Sequence, residues 1–253
     1  MSDGPAGGAP RLGLMLYTVR EECARDLPAT LHEVAEIGFE GVELFDLHGW
    51  PPAEIARVLD RTGLVTCGRH APLESIETRL PELAAEAGEL GWRRLVVSWV
   101  DPGQLDAALL DRLEAAAENA AAHGLELGFH NHDAEVRPRD GAGSFLDELL
   151  ARDKLFLELD LGWAWYGGAD PVALLGDAHG RCPLVHVKDF HSREGRAFAP
   201  VGDGDVGYER VLPAAVAAGV EWLLVEQDET DGPSLEAARR SLAALGAMLE
   251  VAA

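Results

Sequence analysis

Cysteine is scarce in this chain. Cys23, Cys67 and Cys182 are widely spaced and form no CxxC pair. That argues against a disulfide framework and leaves small buried fillers of a reducing compartment. Positive charge is scarce too: 21 Lys and Arg stand against 44 Asp and Glu, a formal net charge of −23. Nucleic acid and anionic membranes are poor partners for such a balance, because phosphate binding needs clustered cations. A phosphorylated sugar stays open, since one local cation holds it. No apolar run reaches the roughly 20 residues of a membrane span. Met1 to Pro10 is rich in Gly, Ala and Pro without a basic or apolar leader region, and reads as a flexible tail rather than a signal peptide. A cytoplasmic protein is expected.

What the sequence does contain is an alternation of short apolar runs and amphipathic stretches over 253 residues. Strands are predicted at 12–18, 41–45, 64–69, 94–98, 125–129, 155–159, 184–187 and 222–225. Helices are predicted at 27–37, 52–62, 76–90, 105–123, 145–150, 171–175, 208–217 and 234–249. Gly38, Gly63, Gly91 and Gly124 each stand just past a helix, where the left-handed C′ conformation is wanted. Eight strand–helix units in about 240 residues predict a single α/β domain, a (β/α)₈ TIM barrel over residues 11–253. The rival is a doubly wound open sheet. It would carry a glycine fingerprint after strand one, where Leu16-Tyr17-Thr18-Val19-Arg20 stands instead.

A TIM barrel places its chemistry at the C-terminal ends of the strands, and the polar residues gather there. His130, Asp160, His186 and Glu226 close strands five to eight. Two imidazoles and two carboxylates suit a first-row divalent ion such as Mn²⁺, Co²⁺ or Zn²⁺. Strand parity puts His132 on the face of His130, Glu158 on that of Asp160 and Lys188 on that of His186. Lys188 beside a metal would hold an oxyanion or act as an acid; the plain alternative is a pair with Asp189 or Asp228. Glu158 is either functional or a structural partner lower in the barrel. Glu43 on strand two and His70 on strand three are the general acid–base candidates, although His70 also reads as a core or capping histidine. Trp163, Trp165 and Tyr166 follow Asp160 in a Gly-containing loop and either wall a sugar pocket or fill the core.

Several segments in order carry a family likeness: Leu16 to Arg20, Gly38 to Leu44, Phe129-His130-Asn131-His132 with Glu135, and Leu159 to Trp163. Gly180-Arg181, His186 to Asp189, Val201 to Gly204 and Val225 to Asp228 continue it. Along nearly its whole length the chain resembles the xylose isomerase-like TIM-barrel superfamily, whose members include sugar phosphate isomerases, epimerases and inosose dehydratases. The resemblance implies a divalent metal, Mn²⁺ favoured, on Asp160, His186 and Glu226. The fifth-strand ligand, commonly Glu, is here His130, as in the dehydratase-like branch, with His132 or Glu135 as substitutes. Met15 stands where a polar residue is common, and Trp163 near a common His.

The expected activity is isomerisation or epimerisation of a small sugar or cyclitol by proton abstraction beside a carbonyl, through an enediolate. Dehydration of a keto-cyclitol such as an inosose is the alternative. Glu43, Lys188 and His70 are assigned to catalysis, and His132, Trp163, Glu158, Tyr17 and Asp228 to the substrate. An abasic-site endonuclease conflicts with the charge, a non-catalytic sugar binder stays open, and so does homo-oligomerisation.

Overall fold

Strands that are apolar on both faces need cover on both sides, and parallel pairing with crossover helices supplies it. A computed structural model describes residues 9–139 and 143–252. Its strands are β1 (Arg11–Met15), β2 (Gly41–Leu44), β3 (Val65–Ala71), β4 (Arg94–Val97), β5 (Glu126–His130), β6 (Phe156–Asp160), β7 (Leu184–Val187), β8 (Asp189–Phe190), β9 (Phe198–Ala199) and β10 (Trp222–Val225). All but β8 and β9 form one closed parallel barrel in the order β1-β10-β7-β6-β5-β4-β3-β2. The expected (β/α)₈ barrel is therefore the fold. β8 and β9 make a separate antiparallel ribbon. Among the described residues no helix is long and apolar enough to cross a membrane. The tail expected at 1–10 lies largely outside them.

The lower barrel is a dry plug. Trp222, Leu224, Leu184, Val96 and Cys67 form a buried cluster with Phe156 packed against it. The large rings fit because glycines face them: a Cβ on Gly128 would fall 2.3 Å from the Phe156 ring, and one on Gly41 2.6 Å from Trp222. Interior positions one layer higher carry charge instead. Register shifts between Val42 and Glu43, bringing Glu43 opposite Gly68. The missing side chain of Gly68 leaves room for that carboxylate, whose Oε1 a Cβ would meet at 2.5 Å.

Three local expectations are corrected. Strand one stops at Met15 and a 3₁₀ turn, Leu16–Val19, follows, so Tyr17 stands on a turn at the mouth. The helix expected from Leu27 is part of a longer one, Arg20–Ile37, broken at Asp26. There Asp26 Oδ1 accepts from Ala29 N and caps the second half, whose first turn tolerates Pro28. Trp163 to Tyr166 are not in a loop but in a short helix, Leu161–Tyr166, N-capped by Asp160 Oδ1 on Trp163 N at 2.6 Å.

Candidate active site

Above the plug, β2, β3, β5, β6 and β7 each point one ionisable side chain inward. Glu43, His70, His130, Glu158 and His186 are all buried. Glu158 Oε2 is the hub, 2.5 Å from His70 Nε2 and 3.3 Å from both His130 Nδ1 and His186 Nε2. Glu43 Oε2 lies 2.7 Å from His186 Nε2 and 3.3 Å from His70 Nε2. Buried charge of this density is costly unless each member is paired, and here the imidazoles alternate with the carboxylates.

The next layer opens towards the mouth. His130, Asp160, His186 and Glu226 each offer one donor atom, and the four atoms lie within 4.8 Å of one another. His186 turns its second nitrogen, Nδ1, to Glu226 Oε2 at 2.7 Å, and His130 Nε2 faces Asp160 Oδ2 at 4.0 Å. Lys188 Nζ stands 3.1 Å from Asp160 Oδ2, 2.9 Å from Glu226 Oε2 and 2.9 Å from Asp228 Oδ1. It also lies 5.1 Å from the Trp163 ring centre. Of the two partners weighed for this lysine, Asp228 is the one; Asp189 instead accepts backbone N–H bonds from Phe190, Gly202, Gly204 and Val206.

Protonation follows from this packing. Burial, and then Glu158, push Glu43 up to about 7. Burial also raises Asp160 to about 6, with Lys188 opposing. Burial disfavours a charge on His186, yet Glu158 and Glu226 hold it well above the usual histidine value. Burial and the neighbouring His186 keep His130 well below that value. His132 falls to about 3 through burial and Lys188. Glu158 and Glu226 stay ionised despite burial, because His186 lies against Glu158 and Lys188 against Glu226.

The four mouthward donors fit a divalent ion. They are two imidazoles and two carboxylates from four consecutive barrel strands, and Asp160 Oδ2 is buried without an aligned hydrogen bond. The inner nitrogens of His130 and His186 meet Glu158 and Glu43, the carboxylate–histidine pairing that orients metal-binding imidazoles. His70, His130, Glu158 and His186 meet the same 4.8 Å limit, though their spacing is that of hydrogen-bonded pairs. Glu135 is not among the donors: its Oε2 accepts from His132 N at 2.9 Å.

The residues expected at the substrate are dispersed. Trp163 is buried against Phe190 and Phe198, with His132 5.7 Å from its ring. Tyr17 is partly exposed, edge-on to Phe45 and beneath the Arg20 guanidinium. A cavity of about 380 Å³ beside the mouth is lined by Thr18, Arg20, Asp228 and Thr230 among others, and of the expected substrate residues only Asp228 borders it. Asn131 was not singled out from sequence. It is fully buried and clamps Asp160, donating to its carbonyl at 3.2 Å and accepting from its N–H at 3.1 Å. Lying between His130 and His132, it is turned from their face by parity, and nothing local in the sequence shows that its partner is the Asp160 backbone.

A family model described as xylose isomerase-like TIM barrel matches residues 31–248. The rhizopine catabolism protein MocC of Rhizobium meliloti is 27% identical over 248 residues, covering 80% of this chain and 75% of that protein. The inosose dehydratase of Geobacillus kaustophilus is 27% identical over 187 residues, 63% of this chain and 60% of the enzyme. A crystal structure of a sugar phosphate isomerase/epimerase from Parabacteroides distasonis superposes with a TM-score of 0.78 at 22% identity, covering 97% of this chain and 96% of the other. That likeness speaks for the fold alone. The family match spans most of the barrel, and with it the chain belongs to the xylose isomerase-like TIM-barrel family.

Proposed function

We propose that this protein is a cytoplasmic, divalent-metal-dependent enzyme that moves a proton beside the carbonyl of a small sugar or cyclitol, as an isomerase or epimerase. The observation that carries the reading is the convergence of His130, Asp160, His186 and Glu226 at the mouth of the barrel, within 4.8 Å of one another. These residues would hold the ion, Mn²⁺ by preference. When bound, it polarises a carbonyl and an adjacent hydroxyl and so acidifies the C–H between them.

The chain's own groups do the rest. Glu43 accepts from His186 Nε2 and fixes that ring's tautomer and direction. Glu158 takes the hydrogen bond from His70 and faces His130 Nδ1 at 3.3 Å. Asn131 locks the backbone of Asp160. Lys188 brings a positive charge to where an enediolate oxygen develops. Glu43, fully buried behind the His186 ring and raised to about 7 by burial and Glu158, shares the Nε2 proton with His186. A lyase reading, loss of water from a keto-cyclitol, shares every step up to the enediolate. Similarity to an inosose dehydratase supports it.

The test is elemental analysis of protein purified without chelator, followed by keto-sugars and keto-cyclitols incubated in D₂O with added Mn²⁺. Deuterium should enter next to the carbonyl only with ion present. Exchange that is indifferent to EDTA, or an ion whose affinity ignores Asp160→Asn, would sink the reading.

A further inference from the structure

Lys188 already occupies oxygens that a divalent ion needs. The ammonium carries three N–H donors and lies in ion-pair contact with Asp160 Oδ2, Glu226 Oε2 and Asp228 Oδ1, at 3.1, 2.9 and 2.9 Å. The first two oxygens are those turned to the imidazoles, Asp160 Oδ2 towards His130 and Glu226 Oε2 towards His186. An ion about 2.0–2.2 Å from such oxygens would sit within a few ångströms of Nζ, where the two cations repel each other. Asp228 is the one partner of Lys188 outside the donor group. It borders the cavity beside the mouth, so there is room on that side for the ammonium to withdraw. The lysine backbone has no such freedom: its N–H and carbonyl are both tied to Tyr208 Oη, at 2.9 and 2.8 Å. Gly162 packs so close that a Cβ there would lie 2.1 Å from the Lys188 carbonyl oxygen. That leaves the side chain, whose Nζ lies over the Trp163 ring at 5.1 Å, as the part free to move.

We propose that Asp228 is a positioning residue that receives the Lys188 ammonium when a divalent ion takes Asp160 and Glu226, so that ion binding frees the ammonium from two of its three carboxylates and leaves it to face a substrate oxygen. The inference rests on the ion site of the preceding subsection. It makes Lys188 the counter-charge of the metal-free site and its substrate contact only afterwards, so the ion binds before the substrate.

The chain contains two lysines, Lys154 and Lys188, which makes a direct test practical. In full-length protein carrying ¹⁵N at lysine Nζ, Zn²⁺ as a diamagnetic probe should shift the buried Lys188 signal and leave that of the surface residue Lys154 unmoved. Asp228→Asn should weaken Zn²⁺ binding by about tenfold or more, the lower end of what outer partners of metal ligands contribute. In the Lys188→Met background, the same Asp228→Asn change should have little effect. If Asp228 acted only through its charge, it would weaken the ion equally in both backgrounds, and that result overturns the proposal. Zn²⁺ that saturates the wild type without moving Lys188 overturns it too, with no need of a variant. Absence of any Zn²⁺ binding would take down the ion site and this inference together.

Discussion

Replacing Glu158 with Gln tests whether the inner layer is an electrostatic framework or merely polar filling. Glu158 is fully buried, with Oε2 hydrogen-bonded to His70 and 3.3 Å from both His130 and His186. Gln keeps the shape, removes the charge and presents an amide donor to rings that need an acceptor. Breaking a buried charged pair typically costs about 3–5 kcal/mol. At roughly 2–4 °C per kcal/mol for a chain of this size, the metal-free variant should melt on the order of 6–20 °C below wild type. Acid should narrow the gap. The folded Glu158 carboxyl is held well below its ordinary 4.5, so the unfolded chain takes up its proton first as pH falls. Its contribution is therefore complete above about pH 4.5 and lost as pH drops through the folded value. Thermal or urea unfolding in EDTA from pH 8 down to about pH 3, below the ordinary carboxyl value, reads both effects. Equal stability at pH 7, or a gap that widens in acid, would refute the reasoning.

Two further outcomes follow. His186 is held protonated between Glu43, Glu158 and Glu226 in the metal-free protein, and binding an ion at Nδ1 displaces that proton. Calorimetry of Mn²⁺ binding at pH 7 in buffers of different ionisation heat should therefore report proton release, and affinity should fall as pH falls; a buffer-independent heat would count against it. Gly68→Ala puts a methyl 2.5 Å from Glu43 Oε1, forcing the carboxylate to turn. Overpacking of this kind costs about 1–3 kcal/mol, so the barrel should stay folded while proton exchange into substrate drops sharply; unchanged exchange would remove Glu43 from the mechanism.

Much of this protein was legible in the sequence. The alternation of apolar runs and amphipathic stretches, with glycines past the helices, is local information about backbone preference and burial. It specified the barrel, and strand parity specified which of His130, Asp160, His186 and Lys188 point inward. Local information fails where a residue's neighbour lies far along the chain. Nothing near Glu158 in sequence says that His70, 88 residues away, will sit against it. Local pattern did not show the helical turn ahead of Asp26 or the short helix that holds Trp163. Only the closed barrel decided that Gly68 makes room for Glu43, that Asn131 clamps Asp160, and that Lys188 lies on three carboxylates instead of reaching into solvent. Closure brings strands distant in sequence to within one side-chain length, and the energy of a buried charge depends on those neighbours, because screening by water has been removed.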